Sequence, residues 1–379
     1  MYDLAVVGLG AMGSAAVAAA AKRGLKTIGI EQFEAGHDLG ASSGRTRMIR
    51  KAYYEHPSYV PLVLRAYDGW RELERYTGER LLFLTGNLIV GDERSTVLTG
   101  SRESARAFGL DCEHLTPAQC AARFPMFRLA DDESALYERD GGLLLPERAV
   151  AALQTAADWA GAELLFRARV SNWSAKPNGV RLELDDGSTL EAARVALCAG
   201  PWLASIAGEL GAGLVVQRNV QHWFEPTEPG LGIGECPAFF VDRSDRQCRL
   251  YGFPDAGFGV KAAFHGYGEA TTADALDREV HPYDAEPVWQ ALKAFAPGAA
   301  GRYLGGKVCM YTMTPDGHFA LGIHPREPRV VVAGGFSGHG FKFAPVVGEI
   351  VCDLAADGST AYDVEFLSLK RFTGGVIRG

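Results

Sequence analysis

The segment Gly8-Leu9-Gly10-Ala11-Met12-Gly13 constrains the fold of this chain more than any other. It closes residues 3–8, a short β-branched apolar run with the pattern of a buried parallel strand. An alanine-rich helix is expected from there through Arg23, with Gly24 as its C-cap. Residues 26–31 read as a second strand, which makes a βαβ unit of about thirty residues. Within it Gly8 allows the tight turn, Gly10 lets backbone approach a pyrophosphate, and Gly13 lets the helix pack on the strand. The helix N-terminus then offers free N–H groups to phosphate. Glu31 ends the second strand, where a carboxylate can accept hydrogen bonds from ribose hydroxyls and would repel a 2′-phosphate. The glycines alone would suit a ligand-free turn; with both flanking elements and the acid they specify a dinucleotide site, FAD or NAD.

The rest of the chain is interleaved with this unit. Residues 57–76 have helical periodicity, with Tyr59, Leu62, Val63, Ala66 and Trp70 on one side. A strand is expected at 81–90, helices at 99–109, 116–124 and 149–161, and strands at 163–172, 179–184 and 188–197, the last two flanked by Asn-Gly and Asp-Gly turns. From about 214 to 315 aromatics and prolines become denser, and the pattern is one of short strands with one helix near 284–295. A buried strand returns at 329–334, followed by a glycine-rich loop and a helix to about Ala356. These patterns predict an α/β protein: a discontinuous Rossmann-like domain (residues 1–85, 145–213 and 320–379) and an α+β substrate domain (86–144 and 214–319) with a mixed, mostly antiparallel sheet. A nucleotide domain in three separated pieces is unlike a simple NAD-dependent dehydrogenase, which keeps it contiguous.

Composition excludes several functions. The net charge of −8 argues against nucleic acid or an anionic membrane as partner, because either calls for a basic face. No basic leader precedes the first strand, and the apolar run 15–21 is too short to span a bilayer. The seven cysteines are odd in number and include no CxxC pair, which suggests neither a metal site nor a disulfide framework. The expectation is a cytoplasmic, reduced, monomeric protein that binds no metal.

The loop Ser42-Ser43-Gly44-Arg45-Thr46-Arg47-Met48-Ile49-Arg50-Lys51 gathers three arginines and a lysine. It is either a solvated basic turn or a set of donors for pyrophosphate or carboxylate, for which guanidinium is a bidentate partner. In extended chain Arg45 and Arg47 would share a face and Arg50 would point elsewhere.

Two further segments carry a resemblance. Gly306-Lys307-Val308-Cys309-Met310-Tyr311-Thr312-Met313-Thr314-Pro315-Asp316-Gly317-His318-Phe319 and Gly334-Gly335-Phe336-Ser337-Gly338-His339-Gly340-Phe341-Lys342-Phe343 are similar to the signatures of the monomeric sarcosine oxidase family, with its N-methyltryptophan and pipecolate oxidase relatives. The Arg47/Arg50 stretch and Gly259-Val260-Lys261 with His265 resemble it too, in the same order along nearly the whole chain. The resemblance implies FAD, bonded covalently through Cys309. It implies cofactor contacts from Gly8, Gly10, Ala11, Met12, Gly13, Glu31, Ser42, Ser43 and Arg47. Further ones would come from Val170, Gly200, Gly335, Phe336, Gly338, Gly340, Phe341 and Lys342. Arg50 and Lys342 would hold a substrate carboxylate, Lys261 would promote the reaction with oxygen, and Tyr311 and His265 would lie beside the substrate. His318 and His339 read as structural. The implied activity takes a hydride from a carbon next to the nitrogen of a small secondary amino acid, giving an imine that hydrolyses, with oxygen reduced to hydrogen peroxide.

Departures from the family pattern fall on the substrate side. Ser43-Gly44-Arg45-Thr46-Arg47 stands where a histidine followed by Gly-Asp-Thr-Arg is usual. Residues 239–251 align poorly and hold Asp242, Arg243, Asp245, Arg246 and Arg249. The substrate could therefore be a cyclic imino acid or a sugar-modified amino acid. A flavin dehydrogenase with another acceptor, or a flavoprotein kept for binding, are the rivals outside the oxidases.

Overall fold

The computed structural model describes residues 1–243, 248–266 and 268–372. Asp245 and Arg246 lie outside them. The first strand, Tyr2–Val7, runs parallel between Thr27–Ile30 and Thr189–Leu197. Its core residues Leu4, Ala5 and Val6 are wholly buried, as an unbroken apolar run requires. Besides Tyr2–Val7, Thr189–Leu197 has two partners: the antiparallel strand Gly179–Leu184 at its start, and the parallel strand Glu327–Gly334 at its end. Ala320–His324, Val170–Lys176 and Glu163–Leu165 complete an eight-stranded sheet.

Helices Ala11–Lys22, Pro146–Trp159 and Ala344–Asp357 cover one face of that sheet, with Tyr59–Thr77 packed on the last two, and small residues let them approach. Helix Ala11–Lys22 buries mostly small residues, Ala11, Gly13, Ser14, Ala15, Ala16, Ala20 and Ala21 among them. A Cβ on Gly13 would lie 1.7 Å from the Gly8 carbonyl oxygen, which is why the helix can sit so low on the strand. Gly348, in helix Ala344–Asp357, is pressed just as closely on the backbone of Ala15, where a Cβ would be 2.6 Å away. Helix Tyr59–Thr77 buries Tyr59, Leu62, Val63, Ala66 and Trp70 and ends on Gly78 in the left-handed region.

A second sheet of nine strands is antiparallel except where Ala238–Arg243 runs parallel to Asn87–Gly91. Helix Pro282–Phe295 packs on it, with Phe295 stacked on Phe127 at 4.7 Å between ring centroids. Its longest members are the paired strands Val215–Phe224 and Tyr303–Met313, in register at Asn219–Cys309 and Gln221–Lys307. The sequence pattern had suggested only short strands here. Gly305, Gly306 and Lys307 interrupt the apolar alternation, yet ladder pairing with the partner strand sustains the extended chain.

Two other expected strands are broken. The strand at 81–90 is split into Leu82–Phe83 and Asn87–Gly91 by Gly86 at φ +80°, and the one at 163–172 is split by Arg167 at φ +58°. The helix expected at 99–109 begins at Thr96, because the Ser95 side chain caps the Leu98 N–H. Among the described residues no helix is long and apolar enough to cross a membrane, and no cluster of three or more His, Cys, Asp or Glu could hold a metal.

Candidate active site

A cavity of about 630 Å³ runs between the two sheets. One end is framed by Gly8, Gly10, Ala11 and Met12, where helix Ala11–Lys22 starts without a side-chain cap at Gly10. Glu31 lines it as well. Its carboxylate accepts the N–H of Leu9 at 2.8 Å and of Phe33 at 3.1 Å and faces His37 at 3.5 Å. Burial pushes the Glu31 pKa up, but His37 and the two backbone donors outweigh it and hold the acid ionised. Ser42 Oγ takes the Ala11 N–H at 3.1 Å. Ser43, Val170 and Gly200 also lie on this wall. Gly13 does not reach the cavity; its part is the close helix–strand contact.

The far end is built on strand Tyr303–Met313, which carries Cys309 and Tyr311 into the wall. The glycine-rich loop is tied to that strand: Ser337 N–H donates to the Thr312 carbonyl at 2.9 Å, and Ser337 Oγ accepts from Thr314 N–H at 3.1 Å. Gly338 lies flat against Tyr311, where a Cβ would meet the ring at 2.4 Å, and Gly340 does the same against Phe336. Gly335 and Phe341 complete the loop's share of the lining. Arg47 donates to the carbonyls of Ser43, of Ala41 at 3.2 Å and of Thr46 at 2.9 Å, and its guanidinium lies 3.5 Å from Cys309 Sγ. His265 Nδ1 is 3.4 Å from Tyr311 Oη. Burial lowers the His265 pKa to about 3, so its ring is neutral, and raises that of Tyr311.

The same end holds the two cations. The two-cation pair was expected to need an external anion; the protein supplies one of its own. Arg50, 4% exposed, donates from Nη2 to both carboxylate oxygens of Glu55 at 2.9 Å and from Nη1 to the Ala52 carbonyl at 2.6 Å. Burial works against the Glu55 carboxylate, yet Arg50 foremost, with His339 and Lys342, brings its pKa to about 2. Lys342 Nζ donates to the His339 carbonyl at 2.7 Å and to Tyr53 Oη at 3.3 Å. Burial, with Arg50 adding repulsion, lowers its pKa to about 7. Trp70 fixes its backbone by donating to the Lys342 carbonyl at 2.8 Å. His339, read as structural, lines the cavity and is held through both ring nitrogens. Its Nε2 donates to the Gly317 carbonyl at 3.0 Å, which leaves Nδ1 to accept from Tyr53 Oη at 2.7 Å. Tyr54, Phe240 and Tyr251 close this end with aromatic surface. Sequence reasoning missed Glu55 and Tyr53; the only signal was the run Tyr53-Tyr54-Glu55-His56 three residues after Arg50.

Two expected positions differ. Lys261 is 1% exposed and does not line this cavity; its Nζ donates to the carbonyls of Gly44 at 2.7 Å and Thr46 at 2.8 Å. Burial first, then Arg47, takes its pKa well below the ordinary lysine value. Arg45 and Arg47 do not share a face. Gly44 at φ +107° and Arg45 at φ +66° twist the chain so that Arg47 turns inward and Arg45 outward, onto the rings of Trp223 and Phe258.

The dinucleotide end and the cysteine end suit one elongated cofactor. The uncapped helix, the glycines with no room for side chains, and the buried, unpartnered Oε1 of Gln221 on the cavity wall all match a polar ligand lying along it. The chain belongs to the DAO family of FAD-dependent oxidoreductases, which matches residues 3–354. Within that family it is a flavin-dependent amine oxidase of the sarcosine oxidase type. It is 38% identical over 378 residues to a monomeric sarcosine oxidase of Streptomyces avermitilis, covering 98% of this chain and 97% of the relative. It is 35% identical over 373 residues to an N-methyl-L-tryptophan oxidase of Yersinia pestis, covering 98% and 99%. Among solved structures it superposes with TM-score 0.85 and 26% identity on NikD, described as an unusual amino acid oxidase essential for nikkomycin biosynthesis, covering 97% of each chain. An L-proline dehydrogenase from P. horikoshii has the same fold, with TM-score 0.85 at 23% identity over 99% of each chain.

Proposed function

We propose that this amino acid oxidase acts on a small N-substituted amino acid with an uncharged side chain and passes the electrons to oxygen. The observation that carries the reading is the Arg50–Lys342 pair, set at the Cys309 end of the cavity inside a neutral aromatic wall. Arg50 and Lys342 hold the substrate carboxylate, Arg50 exchanging Glu55 for it. That anchors one end of the substrate and turns its C–N bond towards Cys309 and Tyr311. Neutral His265 and protonated Tyr311 offer hydrogen bonds without charge, so the amine can sit unprotonated, as loss of hydride from the adjoining carbon requires. FAD bound here supplies the two-electron sink that accepts this hydride. In balance, H–C–NHR, oxygen and water give C=O, the amine H2NR and hydrogen peroxide. Arg47 contributes positive charge on the side of the Ser43–Arg47 loop, and Lys261, held by the carbonyls of that loop, is the residue that promotes the reaction with oxygen. On this reading residues 1–85, 145–213 and 320–379 serve the cofactor and 86–144 and 214–319 the substrate.

The test is a panel of N-methyl and cyclic amino acids, scored by bleaching of the yellow protein without air and by peroxide release in air. A neutral N-methyl or cyclic amino acid should turn over, and its ester or decarboxylated amine should not. Bleaching without peroxide would move the protein to the dehydrogenases, and efficient turnover of simple amines would remove the carboxylate clamp. We further propose that Cys309 bonds covalently to the cofactor. Acid-precipitated protein should then stay yellow and Cys309→Ala should release its colour to the supernatant; a yellow wild-type supernatant would defeat the bond while leaving the oxidase reading intact.

A further inference from the structure

One buried histidine beside the clamp, His339, has no part in the proposed chemistry, and its tautomer is dictated from outside the cavity. The Gly317 carbonyl, 3.0 Å from Nε2, can only accept, so Nε2 carries the hydrogen and Nδ1 a lone pair. Burial lowers the pKa to about 4 and keeps the ring neutral. The turn that presents this carbonyl is itself fastened. Asp316 pairs at 2.7 Å with Arg371, from the turn Leu369–Phe372, and Arg371 donates to the carbonyls of His318 at 2.9 Å and Phe319 at 2.6 Å. Thr314 Oγ1 donates to the His318 carbonyl at 2.7 Å.

Tyr53 carries this constraint to Lys342. Its hydroxyl lies 2.7 Å from Nδ1 and 3.3 Å from the His339 carbonyl, and the nearer acceptor takes the hydrogen. Committed to Nδ1, that O–H cannot also point at Lys342. What Tyr53 Oη turns to Nζ, 3.3 Å away, is a lone pair. The His339 carbonyl accepts a second N–H of Lys342 at 2.7 Å. Lys342 lines the cavity, so with these two acceptors met the third N–H of its ammonium form is left for a guest. A lone pair facing Nζ favours the ammonium, whereas a hydroxyl hydrogen in the same place would favour the neutral amine.

We infer that His339 is a positioning residue for the carboxylate clamp: it holds the Tyr53 hydroxyl so that Lys342 meets an acceptor there and keeps one ammonium N–H for the substrate. The inference rests on the reading of Arg50 and Lys342 as that clamp. Among the described residues, the other titratable groups facing the pair are Arg50, His265, Glu55, with Oε1 4.0 Å from Nδ1, and Tyr59, whose ring stands edge-on to His339 at 5.5 Å. All of them stay in place in the variants that test it.

The probe is propionate, a carboxylate with no amine to oxidise, titrated into the yellow holoenzyme at a series of pH values and followed by flavin absorbance. In wild type its affinity should fall as pH rises through about 7, where Lys342 loses its charge. Tyr53→Phe keeps the ring against Arg50 and Tyr59 but removes the acceptor. His339→Leu frees the Tyr53 O–H to turn to Nζ, or to compete for the carbonyl that Nζ uses. In both variants the falling limb should move down by roughly one pH unit, a tenfold loss of charged Lys342 on the alkaline side. His339→Asn places an amide oxygen near the position of Nδ1 and should restore the wild-type limb. A role in packing alone would lower affinity and melting temperature at every pH and leave the limb where it was. An unmoved limb in Tyr53→Phe or in His339→Leu overturns the inference, and so does an equal shift in His339→Asn and His339→Leu. Equal affinity in wild type and Lys342→Met at every pH would instead defeat the clamp reading, and the inference with it.

Discussion

On the proposed reading Glu55 and the substrate compete for the Arg50 guanidinium, and this makes opposite predictions for two neighbouring substitutions. Arg50→Ala removes a charge-assisted partner that contributes on the order of 1.5–3 kcal/mol, so KM should rise about tenfold or more. Glu55→Gln removes the internal competitor. A carboxylate inhibitor should then bind more tightly, while the empty protein loses melting temperature because Arg50 is left buried with a neutral partner. Weaker inhibitor binding in Glu55→Gln would show that Glu55 orients Arg50 without competing with substrate. Lys342 adds a pH dependence. With its pKa lowered to about 7 by burial and Arg50, it carries its charge below that pH and loses it above, facing Glu55, His339 and Tyr53 throughout. Carboxylate affinity should fall as pH rises through about 7, and Lys342→Arg should flatten that limb. The stability sign is the reverse: the unfolded chain holds this proton up to the ordinary lysine value, so stability gained from this group rises with pH between about 7 and that value. A thermal-melt series on wild type and Lys342→Met checks it. Cys309, Arg50 and Lys342 were singled out only by the resemblance, whereas the glycine motif was legible in the sequence because those residue types at that spacing between a strand and a helix suit one chemistry. Glu55 was not, since its contact with Arg50 depends on how the chain turns through Tyr53 and Tyr54. Nor was the outward turn of Arg45, which follows from two consecutive positive φ angles that nothing in Gly44-Arg45-Thr46 announces.

At the scale of elements, what could be read was existence and type; what could not was where tertiary contacts cut or extend them. Gly86 and the left-handed Arg167 each divide an apolar run that looks continuous. Strand Tyr303–Met313 continues through two glycines because the partner strand pairs with it along most of its length. The crossing of helices Ala11–Lys22 and Ala344–Asp357 is the most testable contact. Gly348 meets the Ala15 backbone where even one methyl group has no space, and backbone cannot rotate aside as a side chain can. Gly348→Ala should destabilise the fold by about 1–3 kcal/mol, the usual range for overpacking. Because the displaced helix is the one whose N-terminus opens on the cavity, noncovalent FAD retention in a Cys309→Ala background should weaken too. Denaturant melts and equilibrium dialysis would check this, and wild-type values in both would mean that the helices part without cost.

Across the whole molecule, the Gly44–Arg47 loop works as a partition, with Arg50 and Lys342 on one side and Arg45, over Trp223 and Phe258, on the other. Arg45→Asp should accordingly leave the order of preference among N-methyl amino acids unchanged, and a reordered series would bring Arg45 back to the substrate. The interleaving of the two sheets was readable from strand-like runs near 195 and 330, but the pairing that joins them was not, because parallel ladders between distant segments leave no local trace. That pairing bears on how the protein is made. A ribosome that has delivered residues 1–300 has exposed the phosphate-binding turn, but not the strand Glu327–Gly334 that flanks Thr189–Leu197, nor the helix that covers Ala15. The nascent chain must carry helix Ala11–Lys22 without the cover of Ala344–Asp357 until those residues have been made, and the sheet beside the phosphate-binding turn gains its Glu327–Gly334 strand no earlier.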